Sequence, residues 1–141
     1  MLSKVYLILA FGILMYFAVL LGTQIQQTRN INKDLQILKS QKQLKSRSYQ
    51  TSFQIANLYF QKGMYNEAIE EYSYCLEIWE KDDRLGLAFI LNRIVLTYSI
   101  LKEDDIALYY CKNALRVTPF STQSLLSLNR LYDSVKLRKS L

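Results

Sequence analysis

Histidine is absent from the 141 residues, proline occurs once, cysteine twice and glycine four times. Without histidine the commonest general base and metal ligand near neutral pH is missing. The glycines, Gly12, Gly22, Gly63 and Gly86, are scattered, so no phosphate-cradling loop is encoded. With a single proline and half of the residues hydrophobic, the chain reads as packed helix rather than long disorder. Cys75 and Cys111 fall on apolar faces, where a thiol acts as a small hydrophobe. A bridge between them needs alpha carbons within about 7 Å. The acidic groups Glu67, Glu70 and Glu71, and Asp104 and Asp105, stand at expected helix starts, where the helix dipole and solvation account for them. No enzyme, metal site or cofactor is expected.

What is present begins with a charge-free run, Val5 to Gly22, of 18 residues. As a helix it spans roughly 27 Å, close to the ~30 Å hydrocarbon thickness of a bilayer. The alternative is a cleaved signal peptide, whose apolar core is normally shorter and ends in small residues. Here bulky Leu20 and Leu21 occupy that end, which favours a retained anchor. From Thr23 to Ser48 the chain is basic, with Arg29, Lys33, Lys39, Lys42, Lys45 and Arg47 against Asp34 alone. Ile31, Leu35 and Leu38 give it one thin apolar stripe at helical spacing. The stripe fades after Leu38, short of the sustained heptads of a coiled coil.

Charge is distributed unevenly. Residues 1–48 hold seven lysines and arginines and one acid, whereas residues 49–141 hold eleven of each sign. The whole net charge of +6 therefore sits beside the apolar segment. Cations concentrated after a span put the following domain on the cytoplasmic side, or its organelle equivalent. They also attract anionic headgroups, at about 1 kcal/mol per close cation. The neutral body argues against nucleic acid as the partner.

Beyond residue 48 the pattern is helical and repeated. Ile55, Leu58 and Tyr59 recur at helical spacing before Gly63; Tyr65, Ala68, Ile69, Tyr72, Cys75 and Leu76 do so after it. Gly63 stands where a helix ends, since glycine adopts left-handed backbone at no steric cost. A shift of 39 residues carries Tyr59 onto Tyr98, Gly63 onto Lys102, Ala68 onto Ala107, Tyr72 onto Cys111, Cys75 onto Ala114 and Leu76 onto Leu115. A further 34 residues lead from Tyr98 to Tyr132, within the apolar run Leu125, Leu128, Leu131, Tyr132 and Val135. The spacing predicts helices over residues 49–62, 65–81, 84–101, 104–117 and 121–137. Ser121 or Thr122 is the expected cap of the last, and Asn129, Arg130, Asp133 and Ser134 are its solvent side. Lys136, Arg138 and Lys139 read as a solvated helix end.

These residues resemble the tetratricopeptide repeat. Tyr59, Gly63, Tyr65, Ala68, Tyr72 and Leu76 match its small and aromatic positions in the first unit, and Tyr98, Ala107, Ala114, Leu115 and Pro119 in the second. Ile55 and Ala56 replace the usual Leu-Gly, Cys75 an alanine and Glu80 a proline. The 39-residue period exceeds the usual ~34 and predicts a longer joint around residues 81–84. The resemblance implies an all-α fold: a transmembrane anchor (residues 1–22), a basic linker (23–48), and a short solenoid (49–141) of two hairpins and a capping helix.

In that family the first helices of each pair line a groove that holds a partner's peptide or helix. Carried onto this chain, the groove residues are Phe53, Asn57, Phe60, Phe89, Asn92, Leu96, Ser99, Ile100, Leu126 and Arg130. The clamp by which one subfamily grips a terminal carboxylate is not matched, since Phe53, Arg93, Gln123 and Ser127 depart from it and only Asn57 fits. Anchor, basic linker and two repeats together are similar to the small membrane-anchored tetratricopeptide proteins of cyanobacteria and algal plastids, the hypothetical chloroplast reading frame thirty-seven family. That resemblance implies a single-pass thylakoid protein with its repeats in the stroma, binding a photosystem I subunit or assembly factor. A targeting or import receptor with the same layout, or an exported binding module if the apolar run is cleaved, are the alternatives.

Overall fold

A computed structural model describes the backbone of residues 1–44, 48–79 and 82–141, and side chains outside 41–47 and 80–81. Every regular element among them is a helix. The chain divides into two compact units, Met1–Ile37 and Leu38–Leu141.

Helix α1 runs without interruption over Leu2–Leu44, so the apolar run and most of the basic segment share one helix. Its part Leu2–Ser40 is long and apolar enough to cross a membrane. Val5 to Gly22 are exposed along their whole length. Where polar residues resume, the Thr23 hydroxyl donates to the Leu20 carbonyl (2.8 Å) and that of Thr28 to the Gln24 carbonyl (3.0 Å). Both hydroxyls are thus satisfied within the helix itself.

The second unit carries two helical hairpins and an end helix. These are α2 (Tyr49–Gln61) with α3 (Tyr65–Glu77), α4 (Arg84–Ile100) with α5 (Asp104–Val117), and α6 (Thr122–Ser140). Each packs on the next in the chain, and α4 also meets α6. Alanines make the close approaches possible: Ala56, Ala68, Ala107 and Ala114 are completely buried. Around the first pair, Tyr72, Cys75, Ile90 and Ile94 complete a core flanked by Phe53, Tyr59, Phe60, Leu76, Trp79 and Tyr98. Around the second, Val95, Cys111 and Leu131 do the same.

The 39-residue offset is reproduced in backbone detail. Met64 N–H donates to Tyr59 carbonyl and Lys62 N–H to Leu58 carbonyl in the first turn; Glu103 N–H donates to Tyr98 and Leu101 N–H to Thr97 in the second. Gly63 (φ 76°) and Lys102 (φ 63°) are the left-handed residues of these turns. Where the repeats differ, packing differs. Tyr72 fills its site with a ring, but Cys111 at the matching place is small. Helix α6 therefore comes close enough for the Cys111 thiol to donate to the Ser124 carbonyl (3.3 Å). Burial pushes the Cys111 thiol pKa up. The Cys75 thiol likewise reaches a main-chain oxygen, that of Tyr49 at 3.4 Å.

The joint between hairpins explains the long period. Helix α3 ends at Glu77, capped by Ile78 N–H on the Tyr74 carbonyl, short of the expected residue 81; Glu80 lies outside the described residues. Trp79 then folds back, its indole N–H donating to the Asp83 carbonyl (3.1 Å) and its ring meeting Tyr49 edge-on at 4.6 Å. Asp83 caps α4 by accepting from Gly86 N–H at 2.9 Å. At the other joint Ser121 is the cap of α6, its hydroxyl accepting from Ser124 N–H.

Candidate functional site

Helices α2, α4 and α6 supply the expected groove residues, and the structure sorts those residues into two kinds. The first kind holds helices together. Asn57 Oδ1 accepts from the Tyr72 hydroxyl (2.5 Å) and from the Arg93 guanidinium (3.0 Å), while Arg93 Nε donates to the Tyr72 oxygen (3.3 Å). The same guanidinium lies 4.7 Å from the centre of the Phe60 ring, which meets Tyr65 edge-on at 5.4 Å. Burial raises the Tyr72 pKa, and Arg93 pulls it the other way. Asn92 is buried and accepts from the Ser124 hydroxyl at 2.9 Å, joining α4 to α6. Ser99 bridges no helices: its hydroxyl donates to the Val95 carbonyl within α4.

The second kind faces outward. Phe89 is 51% exposed, Leu96 42%, Ile100 40% and Leu126 53%, so large apolar groups of this layer stand in solvent. Arg130 is exposed beside them in the chain. Phe53, half-buried, connects the two kinds: its ring lies 5.7 Å from that of Tyr72 below and 5.7 Å from that of Phe89 above.

Phe89 is the wall between two hollows. One, of about 210 Å³, lies between α2 and α4 and is bordered by Tyr49, Phe53 and Trp79. The other, of about 430 Å³, lies where α4 faces the turn into α6 and is bordered by Leu85, Asn92, Pro119, Phe120 and Gln123. A third, of about 210 Å³, is set between α4 and α6, with Leu96, Ser99, Lys102, Ser127 and Arg130 around it. Asp104 also reaches this hollow, where its carboxylate is held by Arg138 from α6. Arg138 is therefore an interhelix bridge as well as a helix-end cation.

Leu85, Phe120 and Lys102 border these hollows and are not among the expected groove residues. Phe120 is 95% exposed because Pro119 and the short turn hold it outside both helices. A large aromatic directly after a helix-stopping proline is the signal that would have found it. Of the repeat-defining residues, Ala68, Tyr72, Ala107 and Ala114 are completely buried. Tyr98 stacks on Tyr110 at 5.7 Å, Tyr59 and Leu76 flank the core, Leu115 is half-buried, and Pro119 is exposed at the α5–α6 turn. Of the linker cations, Arg29, Lys33 and Lys39 are exposed on α1, with Lys39 Nζ 5.1 Å from the centre of the Tyr59 ring. The side chain of Lys42, and all of Lys45 and Arg47, lie outside the described residues. No group of histidine, cysteine or acidic side chains among the described residues is arranged to hold a metal ion.

No family model matches the chain. It is 28% identical over 123 residues to the uncharacterized protein ycf37 of Guillardia theta, a match covering 86% of this chain and 68% of that protein. Two solved structures share its fold. The crystal structure of MamA superposes with a TM-score of 0.67 at 17% identity, over 77% of this chain and 61% of that one. The second TPR domain of human RPAP3, in complex with an HSP70 peptide, superposes with a TM-score of 0.59 at 12% identity, over 76% of this chain and 90% of that one. The helical hairpins thus share the fold of a tetratricopeptide domain, and the expected likeness to the chloroplast reading frame is met by the Guillardia theta relative.

Proposed function

We propose that the chain is a membrane-tethered protein-binding scaffold that assists assembly or stability of photosystem I, with its repeats on the stromal or cytoplasmic face of the thylakoid. The observation that carries the binding role is the apolar surface left open on the first-helix layer, at Phe89, Leu96, Ile100 and Leu126. A monomer gains nothing from leaving such groups in water, whereas a partner segment laid across them removes that surface from solvent. The human RPAP3 domain, which shares the fold, is in complex with a peptide, and a polypeptide ligand is the corresponding choice here.

Helix α1 supports tethering through its length and apolar composition. The cations that follow the apolar run support the stromal orientation. The photosystem assignment rests on likeness to the chloroplast reading frame. Confining binder and client to one surface raises their effective concentration without a new contact, so a short groove suffices.

The test is an affinity capture of the tagged chain from gently solubilised native membranes, read by mass spectrometry. Recovery of photosystem I subunits above a control carrying only residues 1–48 supports the proposal. A spread of unrelated precursors points instead to a targeting receptor, and a mature mass shorter by the apolar run points to an exported module.

A further inference from the structure

The neutral charge of the solenoid conceals a division between its two layers. Helix α2 carries no charged side chain, α4 carries Arg84 and Arg93, and α6 carries Arg130, Lys136, Arg138 and Lys139 against Asp133. The second helices are the reverse: α3 holds Glu67, Glu70, Glu71 and Glu77 with no cation, and α5 holds Asp104 and Asp105 with Lys112 and Arg116. The layer that bears the open apolar face therefore has six cations to one acid, and the opposite layer six acids to two cations.

Two cations meet at the hollow between α4 and α6. Lys102 and Arg130 border it, and among the described residues neither has an ion-pair partner. The acid there, Asp104, is already bridged to Arg138. Leu96 supplies exposed apolar surface on the same wall, and Ser127 a hydroxyl. Lys102 holds its place in left-handed backbone, at the turn position that Gly63 occupies in the first hairpin.

We propose that the groove between α4 and α6 takes a polypeptide segment in which acidic side chains stand beside apolar ones, the carboxylates meeting Lys102 and Arg130 and an apolar group covering Leu96. This deepens the protein-binding reading and rests on it. The carboxylates are side chains within a segment, since Phe53, Arg93, Gln123 and Ser127 depart from the clamp that grips a chain terminus. Complementary charge fixes partner choice and encounter rate more than total affinity, so the apolar contact holds the segment and the two cations select it.

The test uses the full chain in neutral phosphatidylcholine nanodiscs, with empty discs subtracted. The probes are fluorescein-labelled nonapeptides, capped at both ends, alternating leucine with glutamate, glutamine or lysine. Binding of the glutamate peptide, followed by anisotropy, is expected to exceed that of the glutamine peptide by roughly threefold to tenfold, the range of two exposed ion pairs. The difference is expected to vanish as salt rises from about 0.1 to about 1 M and the Debye length falls from about 10 to about 3 Å. Lys102→Gly is expected to lose roughly threefold in affinity for the glutamate peptide while melting no lower than the parent chain. The double reversal Lys102→Glu with Arg130→Glu is expected to switch preference to the lysine peptide.

Equal binding of glutamate and glutamine peptides, or no switch on reversal, overturns the charge inference and leaves the protein-binding reading standing. Binding of no peptide at about 1 mM, the weak end of specific affinity, overturns both. With phosphatidylglycerol discs in place of neutral ones, the parent chain is expected to keep its preference for the glutamate peptide. No peptide preference in neutral discs, with a Lys102 and Arg130 pair that changes only how the repeats lie on anionic discs, would assign the pair to a lipid surface and overturn the proposal.

Discussion

Gly63 and Lys102 are the same residue of the repeat, 39 positions apart, and both adopt left-handed backbone, at φ 76° and 63°. Glycine does so without cost, whereas a side chain there meets steric opposition of roughly 1–2 kcal/mol. The second turn is thus built on the less stable choice. Lys102→Gly is expected to stabilise the chain by roughly 0.5–1 kcal/mol, part of the strain relief being offset by a freer unfolded state. The opposite change, Gly63→Ala, is expected to destabilise by roughly 1 kcal/mol. Thermal melts followed by circular dichroism read both, at roughly 4–8 °C per kcal/mol for a domain of about a hundred residues.

Gly86 is needed for space rather than for backbone freedom. A methyl group there would stand 2.5 Å from the Asp83 carboxylate and 2.6 Å from the Trp79 ring. Gly86→Ala is expected to displace the indole, cost roughly 1–3 kcal/mol and shift the emission of the single tryptophan to the red. Unchanged emission would mean that Trp79 does not close the joint between hairpins.

Asn57, Tyr72 and Arg93 tie α2, α3 and α4 together, each hydrogen-bonded to the other two. Asn57→Ala strips the acceptor from a half-buried guanidinium and is expected to cost roughly 1–3 kcal/mol in denaturant unfolding. Tyr72→Phe removes a hydroxyl and leaves the Asn57–Arg93 bond in place, so its cost is expected to be the smaller of the two.

Tyr72 also gives the fold an alkaline limit. Burial raises its pKa above the ordinary value of 10.0, so the folded chain keeps the proton longer than the unfolded chain does. That contribution is fully present below pH 10.0 and is lost as pH rises through the raised value. Tyr98 and Cys111 are shifted in the same direction by burial. Stability measured between pH 8 and 11 is expected to fall at the upper end, and less steeply in Tyr72→Phe.

The helices and their repeat were legible because periodicity and small residues report packing directly. Ala68 and Ala107, or Tyr59 and Tyr98, declare one geometry twice. The end of α3 was not legible. Its pattern continues past Glu77, and the stop comes from Trp79 reaching Asp83 across the joint, a contact no local signal encodes. The groove was legible only in outline. Asn57 and Asn92 sit at groove spacing, yet the partners that draw them inward, Arg93 and Ser124, lie 36 and 32 residues away. Exposed Leu96 and Leu126 differ from core leucines only in what the neighbouring helices leave uncovered.

The central claim, that the first-helix layer binds the client, is tested most directly by photo-crosslinking in native membranes. A benzophenone amino acid is placed at exposed Phe89 in one chain and at exposed Glu70 on α3 in another. Defined adducts to photosystem I subunits from position 89, with none from position 70, are expected. Adducts from position 70 alone, or the same set from both, would contradict it.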